Sequence, residues 1–448
     1  MCAATAIAEF PPLSAPEFIR EDLPNGMTLL AAEHKEQPVV FFDLMVRAGT
    51  LHEPKDKTGL AGVVSDMLQE GTELWNSSEL AEQMDRLGGR FSVSAHREST
   101  WVTAQVLKRN SEQALDMVTE LVRRPTFPKS ELRRVKQQQR AMLRSSYANQ
   151  DFIGSRHLTA MLYGENLPFG RFATDRSIKS IRREDLLDFY DQNFHATGSI
   201  MAVIGDCDPK EMIESVKKRF ADWRSGEPVS FAKLPDSFQY KPGRRLAIKR
   251  GLSQATILIG GRGVPALSDD FETFSVANHI LGASGFSSRL MNAVRSEEGK
   301  TYGIQSSNSG MPNVGTFTIQ TFTRNDQTRE TIEIIRKVIA EASKDGLTED
   351  ELAKAKAAII GGFPLAFESP QEWASTAMQD LFMGREMGFS LQYRERIAKI
   401  TLEEINEVLR KSIDLDNLAI VVVGDPKELE DQLKGLGDFE VKKEKDWY

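Results

Sequence analysis

The feature that most constrains this fold is an internal repeat. Ala202-Val-Ile-Gly-Asp-Cys-Asp-Pro-Lys-Glu-Met recurs as Val421-Val-Val-Gly-Asp-Pro-Lys-Glu-Leu, which places Gly-Asp pairs at 205–206 and 424–425, 219 residues apart. Upstream, Ile181-Arg-Arg-Glu-Asp-Leu and Ile400-Thr-Leu-Glu-Glu-Ile keep that same offset. Phe127-Pro-Lys-Ser-Glu-Leu matches Leu347-Thr-Glu-Asp-Glu-Leu at 220, and Leu44–Leu68 can be laid on Ile257–Leu281 at 213. Matches in a common order at near-constant spacing imply a duplicated unit. The 448 residues are also too many for one ordinary core. The chain therefore reads as two homologous domains, 1–228 and 229–448, joined through a stretch at 224–243 rich in Pro, Gly and Ser.

Strand-like runs occupy Met27–Ala32, Val39–Val46, Ser199–Ile204, Ala255–Gly260 and Leu418–Val423, with helical periodicity between them. That order predicts an α+β fold whose sheets are largely antiparallel. Along 58–70, Leu60, Val63, Val64, Met67 and Leu68 fall on one apolar helical face, and Gly71 supplies a stop. The opposite face is expected to carry Gly62, Ser65, Asp66 and Gln69.

Several function classes are disfavoured by composition. A net charge of −8 without a long Lys/Arg run argues against a nucleic-acid partner. Cys2 and Cys207 cannot form a disulfide framework or a thiolate zinc site. No stretch approaches the length of a membrane-spanning apolar helix, so none is expected. The first residues lack a basic n-region and a long apolar core, although a start placed after a removed signal would look the same.

Thr58-Gly-Leu-Ala-Gly-Val-Val-Ser-Asp-Met-Leu-Gln-Glu-Gly-Thr72 resembles the zinc helix of the inverted zincins, the metallopeptidases that include pitrilysin, insulysin and the mitochondrial processing peptidase. Their frame is Gly-Leu-Ala-His-x-x-Glu-His-Met-Leu-x-x-Gly-Thr. Two histidines at i and i+4 bind zinc from one helical face, and the Glu between them activates water. Here the three positions are Gly62, Ser65 and Asp66, of which only Asp66 could ligate a metal. The family's third ligand is a glutamate on a later helix, yet Leu132 through Gln150 contains no Asp or Glu. The six histidines never fall at i, i+4 spacing, and each is read as a surface or locally hydrogen-bonded residue. The resemblance thus implies no catalytic zinc and no cofactor in this chain, and no peptidase activity by the chain alone.

A second stretch, Ser288-Arg-Leu-Met-Asn-Ala-Val-Arg295-Ser-Glu-Glu-Gly299-Lys-Thr-Tyr302, is similar to the family's Ser-Arg-Leu-x-x-x-Leu-Arg-x-x-x-Gly-x-x-Tyr. There the Arg and Tyr bind the substrate backbone and the developing oxyanion, a task suited to a guanidinium and a phenol. The resemblance implies that Arg295 and Tyr302 form such a clamp. It further implies a clam-like half-chamber that pairs with a homologous zinc-bearing subunit, so that this chain serves peptide hydrolysis in trans. A structural or assembly subunit, or a metal-free peptide-binding homodimer, is the alternative. Analogy with bacterial paired peptidases favours a periplasmic over a cytoplasmic location.

Overall fold

The computed structural model describes residues 13–297 and 300–443, so Cys2 and Gly299 lie outside the described residues. It contains two six-stranded mixed sheets. The first comprises β1 (Ile19–Asp22), β2 (Thr28–Glu33), β3 (Val39–Val46), β4 (Arg90–Ala95), β5 (Thr100–Leu107) and β6 (Ile200–Gly205), in the order β1-β2-β6-β3-β5-β4. The second comprises β7 (Arg244–Ile248), β8 (Gln254–Gly263), β9 (Ile304–Gly310), β10 (Gly315–Arg324), β11 (Ala419–Gly424) and β12 (Glu440–Lys442), in the order β12-β7-β11-β8-β10-β9. Helices α1 (Leu60–Leu68), α2 (Ser77–Leu87), α3 (Ser111–Arg123), α4 (Lys129–Ser146) and α5 (Gln150–Tyr163) precede β6.

Five of the six positions in the two sheets correspond, with β2 parallel to β6 and β7 parallel to β11. One edge differs. β1 runs antiparallel to β2, whereas β12 arrives from the far end of the chain and runs parallel to β7. Register corrects one detail of the repeat. Phe42 pairs with Val203 and Ile257 with Val422, so β3 and β8 correspond at an offset of 215 rather than 213. The difference of two keeps every side chain on its expected face, which is why the shifted alignment still matched apolar with apolar.

β6 and β11 are buried along their whole length, as expected for strands covered on both faces. The covers come from different halves. Met201 and Val203 point into the core shared with α1 and α3, while Ile200, Ala202 and Ile204 pack on Trp373, Ala374, Ala377 and Met378 of the helix Pro370–Phe382. Reciprocally, Ala419, Val421 and Val423 join the core that holds Ile153, Leu158 and Leu162 of α5, while Ile420 and Val422 face the second half's own helices. Each half therefore lends a helix to the other's sheet. A fully buried apolar side chain is worth about 1.5–3 kcal/mol, so this exchange binds the halves strongly. Gly154 allows α5 to sit close, because a Cβ there would lie 2.1 Å from Leu258 Cδ1. At the end of α5, Tyr163 donates its hydroxyl to the Gly315 carbonyl at 2.5 Å in the opposite half.

Residues 224–243 form no helix or strand, yet they are fastened down. The Ala232 N–H donates to Glu98 Oε1 at 3.2 Å, and Asn313 Nδ2 donates to the Ala232 carbonyl at 3.2 Å.

Candidate functional site

α1 begins after Gly59, whose φ of +96° is left-handed and suits glycine. Glu53 closes this end by accepting the Gly59 N–H at 2.9 Å and the Ala61 N–H at 2.8 Å. Burial pushes the Glu53 carboxyl up to about 7, against the opposing pull of those two N–H groups.

Gly62 and Asp66 lie on the part of α1 that meets α4. Gln139 of α4 donates its amide to Asp66 Oδ2 at 2.6 Å, and a Cβ at Gly62 would sit 3.7 Å from the same amide nitrogen. A glutamine thus occupies the space between the two positions where the family's histidines would stand. Burial raises the Asp66 carboxyl above its ordinary value; the Gln139 hydrogen bond opposes this. Just beyond the end of α1, Glu70 accepts from Arg134 of α4, which also donates to Glu131 within its own helix.

Ser65 departs from expectation. It is 2% exposed rather than on a polar face, and its Oγ has no hydrogen-bond partner among the described residues. The reason is enclosure: α1 packs against β4, α4 and the helix Arg183–Asn193, so most of its circumference is buried. A carboxylate base at 65 would need an open face that this helix does not offer. Among the described residues, no three His, Cys, Asp or Glu side chains group as a metal set.

Arg295 and Tyr302 belong to the second half. Arg295 lies in the π-helical turn Asn292–Glu297, its guanidinium 4.6 Å from the centre of the Phe286 ring. Tyr302 precedes the edge strand β9 and is 81% exposed. Its neighbours are anchored: Thr301 is buried, and Thr321 Oγ1 donates to the Gly303 carbonyl at 2.9 Å. Arg295 and Tyr302 are not joined by a hydrogen bond among the described contacts. Tyr302 is displayed to solvent, while Arg295 is half-buried against Phe286.

The only sequence signal for Gln139 is the run Gln137-Gln138-Gln139 within the acid-free stretch 132–150.

The family model described as Insulinase (Peptidase family M16) matches residues 29–169, and that described as Peptidase M16 inactive domain matches 180–359. Together they take in most of the chain. It belongs to peptidase family M16. A crystal structure of a peptidase M16 inactive domain from Pseudomonas fluorescens superimposes with a TM-score of 0.83 and 26% identity, over 91% of this chain and 98% of that one. A Helicobacter pylori protein named non-peptidase homolog YmxG is 25% identical over 87% of this chain and 90% of its own length. A Bacillus subtilis protein named uncharacterized zinc protease YmxG is 24% identical over 86% of this chain and 93% of its own. Within the M16 family, this chain is peptidase-like and carries Gly62, Ser65 and Asp66 in place of the zinc motif's residues.

Proposed function

We propose that this M16 protein is the non-catalytic, substrate-binding subunit of a heterodimeric zinc metallopeptidase. The zinc, its water and the general base would come from a homologous partner. Arg295 and Tyr302 of this chain would donate hydrogen bonds to the peptide and to the oxyanion that forms on its scissile carbonyl. The observation that carries the reading is Tyr302. A phenol 81% exposed at the mouth of an edge strand, on a well-anchored backbone, has no structural task among the described contacts. The edge strands β4 and β9 support the same reading, since each leaves unpaired backbone groups on which an extended peptide could align.

The test is peptidase activity on a quenched peptide library, with this chain alone, its cognate zinc-motif subunit alone, and the mixture. Activity is expected only in the mixture, falling ~10²–10³-fold with Arg295→Ala or Tyr302→Phe. Mixture activity that ignores both substitutions, or a partner equally active alone, would leave a structural or assembly role.

A further inference from the structure

A cavity of about 330 Å³ lies where the two halves meet, with α5 and the loop after it on one side and β7 and β12 on the other. Its ionic lining divides into a matched set and an unmatched one. Arg245 and Lys442 are matched. Arg245 donates to Glu440 Oε2 from Nε at 2.9 Å and from Nη2 at 2.7 Å, and pairs with Glu165 at 3.0 Å. Lys442 pairs with Glu440 at 2.8 Å.

Arg156, Arg171 and Lys55 line the same space and form no ion pair among the described residues. The Arg156 guanidinium is held against the rings of Phe172 (4.7 Å), Phe152 (5.3 Å) and Tyr147 (5.4 Å), and its one described hydrogen bond goes to the Ala173 carbonyl at 2.8 Å. Arg171 donates to the backbone carbonyl of Glu53 at 3.0 Å, while its Nε has no partner among the described residues. The Glu53 carboxyl feels the Arg171 charge but forms its hydrogen bonds with Gly59 and Ala61 at the start of α1 rather than with a guanidinium. The wall therefore holds a surplus of positive charge fixed in a partly dry space, where each guanidinium keeps unused N–H groups. His157 stands in the same wall. Burial first, then Arg245, Arg156 and Lys442, hold its imidazole neutral down to about 3.

A surplus of this kind is stable when an anion completes it, and a rigid guanidinium fork fits the paired oxygens of a carboxylate or phosphoryl group. We propose that this cavity is a binding site for a small oxyanion, gripped by Arg156 and Arg171 with Lys55 at the rim. The matched Arg245 cluster closes the far wall from the second half. The gripping groups all come from the first half, with the Arg245 cluster of the second half facing them across the cavity, and an anion bound there stabilises the folded chain by mass action. The inference is independent of any role in peptide hydrolysis.

The test uses the full chain with inorganic phosphate and with citrate at matched ionic strength, chloride being the control. Calorimetry is expected to show saturable one-site binding and the melting temperature to rise with ligand. Arg156→Gln should weaken binding by ~10-fold or more and Lys55→Gln by ~3-fold, as expected for losing a charge-assisted hydrogen bond and a rim charge. Lys55 is exposed, so its variant serves even if the Arg156 variant folds poorly. As a control, Arg133→Gln in the separate basic groove along α4 should leave binding unchanged. Phosphate without citrate would assign a phosphoryl ligand, citrate without phosphate a carboxylate, and both a general oxyanion; each supports the site. Absence of saturable binding by either anion overturns it. So does binding that survives the Lys55 and Arg156 substitutions or depends on Arg133.

Discussion

Gln139 and Asp66, 73 residues apart, are joined by a 2.6 Å hydrogen bond that ties α4 to α1 where the family's zinc would stand. Between these two helices the chain places a neutral amide on a partly buried carboxylate. Such a contact holds the helices in register without any chemistry of its own.

Removing one partner should therefore cost more than removing both. Gln139→Leu leaves the Asp66 carboxylate without its donor and is expected to destabilise by about 1–3 kcal/mol. The double variant with Asp66→Leu should fall well short of the sum of the two single costs. Urea unfolding of the four proteins measures the coupling; simple additivity would mean that the bridge is idle.

The same geometry predicts how zinc affinity could be rebuilt. Gly62→His with Asp66→His supplies two ligands on one turn of α1 but no third, and zinc is expected to be lost on dialysis. Adding Gln139→Glu places a carboxylate where the amide now reaches both positions, and should tighten zinc by ~10-fold or more. Equal zinc content in the two- and three-ligand proteins after dialysis would contradict this.

Asp43, in the middle of β3, is 1% exposed and accepts Gln371 Nε2 at 2.9 Å. Burial pushes its carboxyl from 3.8 up to about 7, and Glu53 is raised in the same sense. A raised carboxylate pKa means that the folded state binds the proton more tightly than the unfolded one. The resulting stability is complete below the ordinary carboxylate range and is lost as pH climbs through about 7. Melting temperature should thus decline between pH 5 and 8, with a smaller slope in Asp43→Asn. Parallel curves for the two proteins would show that Asp43 does not titrate in this window.

Arg47 fastens the exchanged helix. It donates to the Phe382 carbonyl at 2.9 Å and the Val229 carbonyl at 3.2 Å, with its guanidinium 4.6 and 4.7 Å from the rings of Phe231 and Phe382. Arg47→Ala should cost about 2–4 kcal/mol, and Arg47→Lys should recover little because an ammonium cannot reproduce the planar fork. Hydrogen exchange is expected to quicken in 370–382 and around 229. Exchange unchanged there would place the anchor elsewhere.

Local features were legible in the chain itself. The 3.6-residue spacing of Leu60, Val63, Val64, Met67 and Leu68 marked α1, and Gly62, Ser65 and Asp66 announced its missing ligands, because the zinc motif is confined to one helix turn. The apolar runs at 199–204 and 418–423 marked β6 and β11 as strands, whose two faces both prove buried. Only tertiary structure decided what covers those faces, since nothing in Ile200–Gly205 specifies that its second cover comes from Pro370–Phe382 in the other half. The same holds for buried Ser65, for the Gln139–Asp66 bridge and for the cationic cavity. Periodicity reports how one segment presents its side chains. Which distant segment meets them is chosen by packing and charge, and those act across the folded chain.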